Sequence, residues 1–563
     1  MKKLRLLLLL IFVLPLYEAL PAHAVIAKPE WQPATLTDGT TVMVMPCGDE
    51  FGHYFVTADG QRLIMGDDLR LHPLTDDEPL PGAVSARRLS AEQTRTARRT
   101  AAAKQSLFTD SKRGLIILVS FDQQPFKDGD QAQATWTRLA NEEGYSEGQA
   151  CGSMHDYFLD QSYGLFDLTF DVVGPVPMPH TYSYYGKNDS KGEDDNVGEM
   201  IYDACVAIDD QVDFSTYDWD GNGEADQIFV IYAGYGENEF STSRPDLIWP
   251  HSWGLDDRNL ASGPLYLDGV HIDLYACTNE LAAGGRLAGI GTACHEFSHC
   301  LGLPDTYNTK TGKDLVVGGW DLMSTGCYNN RSWRPAAYSS YERYYCGWLT
   351  PTVLDDPYEV TDLKHLGAEP RAFLVRNDAI STSVDEYYMI ENRQLEKWDS
   401  HLPGKGLLIW HIDYNANVWD DNTPNVSATH YRIDIIAAGD ERQDGTAAWP
   451  TTKNGELRNA LTDNSTPRAT VFNTNSQGKL MGKPITHMAV AGDIGCFRFK
   501  DTGKLAADVN ADGTVDVGDV MAVITCMAGN ATPMERYRAD ANGDGHYNVG
   551  DVMAIINQMA KEK

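Results

Sequence analysis

The sequence predicts a multidomain chain: an α/β layered domain, a β-rich domain and a small all-α calcium-binding tail. Three observations predict this. Between residues 114 and 349, apolar runs of strand length alternate with stretches of helical period. From 352 to about 500 the helical period fades, and short aromatic and β-branched runs sit between turn residues. Finally, an acidic unit that opens at Asp508 recurs in the same register at Asp540. The 563 residues leave room for about three or four domains.

The formal charge of −34 argues against nucleic acid or an anionic membrane as partner, since both need a basic patch. Solubility alone accounts for most of it. The N-terminus reads as a signal peptide over 1–24. Met1–Arg5 is basic, Leu6–Leu16 is apolar, and Ala22-His23-Ala24 is a small-residue cleavage site. The apolar run is too short to span a bilayer, and no later run reaches the ~18 apolar residues that would. A secreted, extracellular protein with no membrane anchor is expected. Export permits disulfides, but the spacing of the 10 cysteines names no framework, so bridges and buried thiols both stay open.

Residues 25–110 read as a propeptide with a basic linker. Asp38-Gly39 and Asp59-Gly60 are hairpin signals. From 84 to 113, arginines from Arg87 to Arg113 sit among Ala, Ser and Thr, as in an exposed polar or helical connector. The layered domain follows over 111–351. Gly114–Phe121, Phe166–Val173 and Gln227–Ala233 read as strands, and helices are expected near 131–142, 150–160 and 197–208.

A helix starting near Leu287 carries the chemistry. It holds His295-Glu296-Phe297-Ser298-His299, then Gly302, Pro304 and Asp305. Residues four apart share a helix face, so His295 and His299 can grip one metal ion from consecutive turns. Glu296 can take a proton from a metal-bound water, as general base. Gly302 permits a sharp turn and Pro304 forbids more helix. Asp305 can then return as third ligand, leaving the open position of a catalytic zinc site. Downstream, Trp320-Asp321-Leu322-Met323 places a methionine as an apolar floor beneath the metal. Tyr328 is a candidate donor to the oxyanion, and Cys47-Gly48-Asp49-Glu50 offers a thiolate or a carboxylate as candidate blocker of the metal.

The β-rich accessory domain spans 352–500, with strands expected at 372–375, 387–391, 406–412 and 431–436. The tail, 505–563, has calcium-loop spacing in duplicate. Its oxygen donors are Asp508, Asn510, Asp512, Asp516 and Asp519, then Asp540, Asn542, Asp544, Asn548 and Asp551. Gly513 and Gly545 take the sharp turn, and Thr514 and His546 would offer backbone carbonyls. Asp218, Asp220, Asn222 and Asp226 make a partial third loop with Phe229 in the last position. Calcium there and a plain turn stay equally open.

His295–Asp305 and Trp320–Met323 resemble the immune inhibitor A-type metallopeptidases, which are metzincin-like. The likeness extends to Asp160–Gly164, Tyr217–Gly234, Ile390–Gln394 and Leu402–His411. It implies a secreted zinc endopeptidase made as a zymogen, with His295, His299 and Asp305 as ligands and Glu296 as base. Typical metzincins have His where Asp305 stands. The tail resembles a type I dockerin, which implies calcium and a cohesin-like partner. The expected function is therefore hydrolysis of protein or peptide substrates. The alternative is a non-catalytic adhesion or scaffold subunit docking through its tail.

Overall fold

The computed structural model describes residues 23–50, 52–66, 68–74, 107–188, 193–240, 244, 246–258, 260–529 and 531–562. Almost all of the expected signal peptide, and the arginine-rich stretch from Arg87 to Arg99, lie outside the described residues.

The chain enters as β1 (His23–Ala24), then forms an antiparallel sheet of β2 (Gln32–Thr35), β3 (Thr41–Asp49), β4 (Gly52–Thr57), β5 (Arg62–Met65) and β6 (Leu71–Pro73). Alternating apolar residues give it a small core of Ala34, Val44, Phe55, Leu63 and Leu71. The next layer is a mixed sheet built on β7 (Asp110–Ser120), β8 (Phe166–Pro177), β9 (Ile228–Tyr235), β10 (His251–Gly254) and β13 (Leu274–Ala282), with the hairpin β11 (Leu265–Leu267) and β12 (Val270–Ile272) beside it. Its order is β1-β10-β13-β9-β7-β8; β7, β8, β9 and β13 run parallel, and β10 is antiparallel. Central parallel strands are covered on both faces, so Leu115–Val119 and Ile228–Ala233 are continuous apolar runs with no exposure. Lys112 and Arg113, expected in an exposed linker, instead pair with Leu168 and Thr169 in β8. Strand pairing and an ion pair from Arg113 to Asp171 hold them there.

Helices α1 (Ala132–Asn141) and α2 (Met154–Gln161) pack on β8. Ser153 and Asp156 close a capping box at the start of α2. Helix α3 (Val197–Ala207) follows, and α4 (Gly291–Cys300) lies on β13 and β10. Every residue of α4 is buried. It begins later than the sequence suggests, because Arg286 and Leu287 pair with Ala282 and Leu281 as strand.

In the β-rich part, a five-stranded sheet contains Phe373–Arg376, Asp385–Arg393 and Gly406–Tyr414, while a three-stranded sheet contains Tyr358–Leu363, Ile485–Ala491 and Ile494–Phe499. Both contribute to one core, with Phe373, Ile390, Ile409, Val360, Ile485 and Phe497. That makes a sandwich. A second apolar cluster joins Leu374, Met389 and Trp410 to Val317, Trp320 and Tyr341, so the larger sheet is buried on both faces. The tail is helical: Val517–Ala528, Pro533–Ala539 and Val549–Lys561 surround Val523, Ala539 and Ile555. It rests on the sandwich through Asn459 Nδ2, which donates to the Gly543 carbonyl at 2.9 Å, and through Arg498 over the Tyr537 ring at 5.0 Å. All ten cysteines are free thiols.

Candidate metal centre

Helix α4 delivers His295 and His299 one turn apart, and their Nε2 atoms lie 3.3 Å from each other. The opposite ring nitrogens are committed. His295 Nδ1 donates to the Leu322 carbonyl at 2.9 Å and His299 Nδ1 to the Leu303 carbonyl at 2.8 Å. A carbonyl can only accept, so both Nδ1 atoms carry the proton and both Nε2 lone pairs face inward.

After α4 the chain reverses at Gly302, whose φ of +86° is left-handed. That turn returns Asp305. Its Oδ1 lies 3.2 Å from His295 Nε2 and 3.6 Å from His299 Nε2, and has no hydrogen-bond partner. Its other oxygen accepts from Asn422 Nδ2 at 2.7 Å, and its backbone N–H donates to Asn422 Oδ1 at 2.7 Å. All four groups, His295, Glu296, His299 and Asp305, are buried. Two lone pairs and an orphaned carboxylate oxygen facing one point repel each other unless a cation sits between them. The donor set of two imidazoles and one carboxylate fits zinc.

Glu296 lies within 4.8 Å of both imidazoles, but one oxygen is already bonded to the Val25 N–H at 2.8 Å. Its other oxygen, like Asp305 Oδ1, has no hydrogen-bond partner. Burial, then the Asp305 carboxylate, pushes the Glu296 carboxyl well above its ordinary range. Met323 is fully buried. Its N–H donates to Asp321 Oδ1 at 2.7 Å, and its carbonyl accepts from Thr306 N–H at 2.8 Å. The methionine turn is thus tied to the Asp305 loop.

Residues 24–28 run through the same place. Val25 occupies Glu296, the Tyr307 hydroxyl donates to the Ala24 carbonyl at 2.6 Å, and Trp249 Nε1 donates to the Val25 carbonyl at 2.8 Å. Tyr328, the candidate oxyanion donor, donates to the Ile26 carbonyl at 2.6 Å. Of the Cys47–Glu50 stretch, Asp49 Oδ2 lies 3.2 Å from the Tyr307 hydroxyl, while Cys47 and Glu50 are engaged elsewhere. Cys47 packs with Tyr54 and Val56, and burial pushes its thiol up to about 11. Glu50 lies 2.6 Å from His251 Nδ1 and 3.3 Å from Arg258 Nη2. Burial pushes its carboxyl up, but His251 and Arg258 outweigh that and hold it low. Glu50, Asp194 and His251 have the composition of a metal site. His251 is already engaged, its Nε2 accepting from Arg258 at 2.8 Å, so this cluster reads as an ion-pair lock between the first segment and the sheet.

Asn422, Tyr307 and Trp249 were invisible to sequence reasoning. None stands at a telling spacing from the His-Glu-x-x-His motif; only the fold brings them to it.

The two tail loops share one frame. Asp508 accepts from the N–H groups of Asp512 and Gly513 at 3.1 and 2.9 Å, and Asp540 from those of Asp544 and Gly545 at 3.0 and 2.9 Å. Asp519 accepts from Asn510 N and Asp516 N, as Asp551 does from Asn542 N and Asn548 N. Gly513 and Gly545 have φ of +88° and +83°. Thr514 and His546 take the seventh position, each N–H on the preceding Asp carboxylate at 2.9 Å. The loop at Asp218 has the first half of this frame, with Asn222 N and Gly223 N on Asp218 at 3.1 and 2.9 Å.

Residues 120–348 match the family described as immune inhibitor A peptidase M6, catalytic domain, and residues 506–560 match the dockerin type I domain. The pre-pro-metalloprotease PrtV of Vibrio cholerae serotype O1 is 24% identical over 298 residues, 46% of this chain and 32% of that protein. Immune inhibitor A of Bacillus thuringiensis subsp. alesti is 26% identical over 208 residues, 32% of this chain and 29% of that protein. A putative secreted metallopeptidase of Arthroderma benhamiae is 26% identical over 208 residues, 31% and 29% of the two chains. The matched region spans about a third of each relative's length.

Proposed function

Because the chain carries an immune inhibitor A-type M6 peptidase domain and a type I dockerin domain, we propose that it is a secreted, metzincin-like zinc endopeptidase. It is made as a zymogen and docks through a calcium-folded tail to a cohesin-like partner. The convergence of His295, His299 and the orphaned Asp305 oxygen carries this reading. Those three residues would hold zinc, which when bound acidifies a water and polarises the carbonyl of the peptide to be cut. Glu296 then takes the water's proton and passes it to the leaving nitrogen.

The zymogen reading is supported by residues 24–28. They cover Glu296 with a backbone N–H and exclude any other peptide from it. The Glu50 lock to His251 and Arg258 fastens the same segment a second time. Removal of the first segment, through cleavage in the basic linker, would open the cleft. The calcium reading is supported by the duplicated loop frame around Asp508–Asp519 and Asp540–Asp551. Two loops whose oxygen donors differ only at Asp516 and Asn548, with the same left-handed glycine, suit a pair of calcium ions.

The test is Glu296→Gln in the full chain, activated by limited trypsin digestion. Zinc content should stay at the wild-type level while casein cleavage falls by at least ~10³-fold. A zinc-loaded Glu296→Gln that cleaves casein at the wild-type rate removes Glu296 from the mechanism. A wild-type chain that binds no zinc removes the whole reading.

A further inference from the structure

The turn from β3 to β4 carries a carboxylate of the first segment into the peptidase. Gly48 N–H donates to the Gly312 carbonyl at 3.2 Å, and Asp49 Oδ2 lies 3.2 Å from the hydroxyl of Tyr307, two residues beyond Asp305. Glu50 follows and reaches His251 and Arg258. His251 stands on β10, against which the metal helix α4 packs. Among the described residues, the outer edge of β10 pairs with His23 and Ala24. The signal-peptide reading removes both on export, which leaves that edge open to a peptide strand.

Arg258 is built in from the peptidase side. Its stem lies against Gly198 of α3, where a Cβ would come within 2.7 Å of it, and its guanidinium lies 4.1 Å from the centre of the Trp253 ring. Nε donates to the Tyr275 hydroxyl at 2.9 Å, Nη1 to the Asp194 carbonyl at 3.1 Å, and Nη2 to His251 Nε2 at 2.8 Å. These are uncharged acceptors. The Asp194 carboxylate accepts from Trp249 N–H at 2.9 Å instead, and burial, then Glu50, pushes it well above its ordinary range. Among the described residues, Glu50 is the carboxylate that pairs with Arg258. When the first segment departs, Arg258 therefore keeps its place and loses its counter-charge. A nearly buried cation without a partner is costly, and a second carboxylate in the same position relieves it.

We propose that Arg258, with His251, forms a substrate subsite for an acidic side chain, filled by Glu50 until the first segment is removed. The proposal rests on the peptidase reading above. A Glu or Asp side chain of the substrate sets an oxygen on Arg258 Nη2, where Glu50 Oε1 now lies at 3.3 Å. An uncharged side chain there leaves the arginine without a counter-charge. Arg258 thus determines specificity and takes no part in breaking the bond. Because its fork is already held by Trp253, Tyr275 and Asp194, little ordering is left for the substrate to supply.

The experiment uses full chains, activated by trypsin that is then inhibited, and peptides built on a bond that activated wild type is found to cut in casein. One Glu, or Gln as its uncharged counterpart, is moved through the positions on either side of that bond. At one position wild type should cut the Glu peptide about 10–100-fold better than the Gln peptide in kcat/KM. Arg258→Gln should bring that ratio to about one, and Arg258→Lys, a cation without the fork, should give a ratio between the two. A residue that merely held the fold would lower both rates and leave the ratio unmoved. A wild-type ratio near one at every position overturns the proposal, even if the variants fail to fold. So does a full wild-type ratio in a folded Arg258→Gln, or in Arg258→Lys if Arg258→Gln does not fold. If activated, zinc-loaded wild type cuts no casein, the peptidase reading falls and takes the proposal with it. If it cuts casein and shows no preference for Glu, the reading stands and the proposal alone fails.

Discussion

Replacing Asn422 with alanine should damage a centre to which Asn422 itself contributes no ligand. The amide makes two bonds to Asp305, one to the carboxylate and one to the backbone N–H, both 2.7 Å long and both buried. Asn422→Ala removes both and leaves a buried carboxylate oxygen and a buried N–H unpaired. A hydrogen bond to a charged group contributes about 1.5–3 kcal/mol, and an orphaned buried donor costs about 1–3 kcal/mol. The folded chain should therefore lose ~3 kcal/mol or more. Partners that orient a metal ligand are typically worth 10–100-fold in affinity, so zinc should bind that much more weakly. Asn422→Asp is a sharper version. It keeps an acceptor for the Asp305 N–H but sets one carboxylate against another, and zinc affinity should fall further than in Asn422→Ala. The assay is zinc competition against a chromophoric chelator on the full chain, with a melting curve alongside. Wild-type zinc affinity in a folded Asn422→Ala would refute the reasoning, because Asp305 would then need no outside support.

Three further outcomes are expected. Glu50→Ala breaks the tie from the first segment to His251 and Arg258, so the untreated chain should show more casein cleavage than wild type; unchanged latency would discard the lock. Calcium chelation should remove the helical circular dichroism of the tail and free Gly543 from Asn459, as judged by new protease sensitivity after residue 500; an unaltered digestion pattern would count against calcium folding. In the sandwich, burial pushes the Glu386 carboxyl up, but His411 at 2.7 Å outweighs it and lowers the group from about 4.5 to about 2. A depressed carboxyl contributes stability that is present above its unfolded value and lost as pH falls through the folded one. Melting temperature should therefore drop between about pH 4.5 and pH 2, and Glu386→Gln should flatten that acid limb; an identical limb in both chains rules out this pair.

What the sequence disclosed follows from range. His295, His299 and Glu296 were legible because a helix converts spacing into direction. The tail loops were legible because the chain writes them twice. Asp305 was reachable since Gly302 and Pro304 announce a turn. Its support was not, because Asn422 is distant in sequence and no local pattern marks it. The same holds for Tyr307, which looks like any buried tyrosine until Ala24 is seen against it. Tyr328 is a candidate for the oxyanion on the strength of following Met323, and in the folded chain its hydroxyl meets the Ile26 carbonyl. The start of α4 was misplaced for a related reason: Arg286 and Leu287 are drawn into strand by β13, a tertiary pairing that outweighs local preference.

The bond between Asp305 and Asn422 also sets a timetable. The two residues are separated by 117 positions, and the second belongs to the chain beyond the peptidase match. During synthesis the N-terminal parts of a chain fold first. The helix with its histidines can thus be in place well before Asn422 has been made, and Asp305 has nothing to aim it until then. The residue that aims Asp305 arrives with the later part of the chain, so the candidate centre reaches its final alignment only after most of the protein has been built.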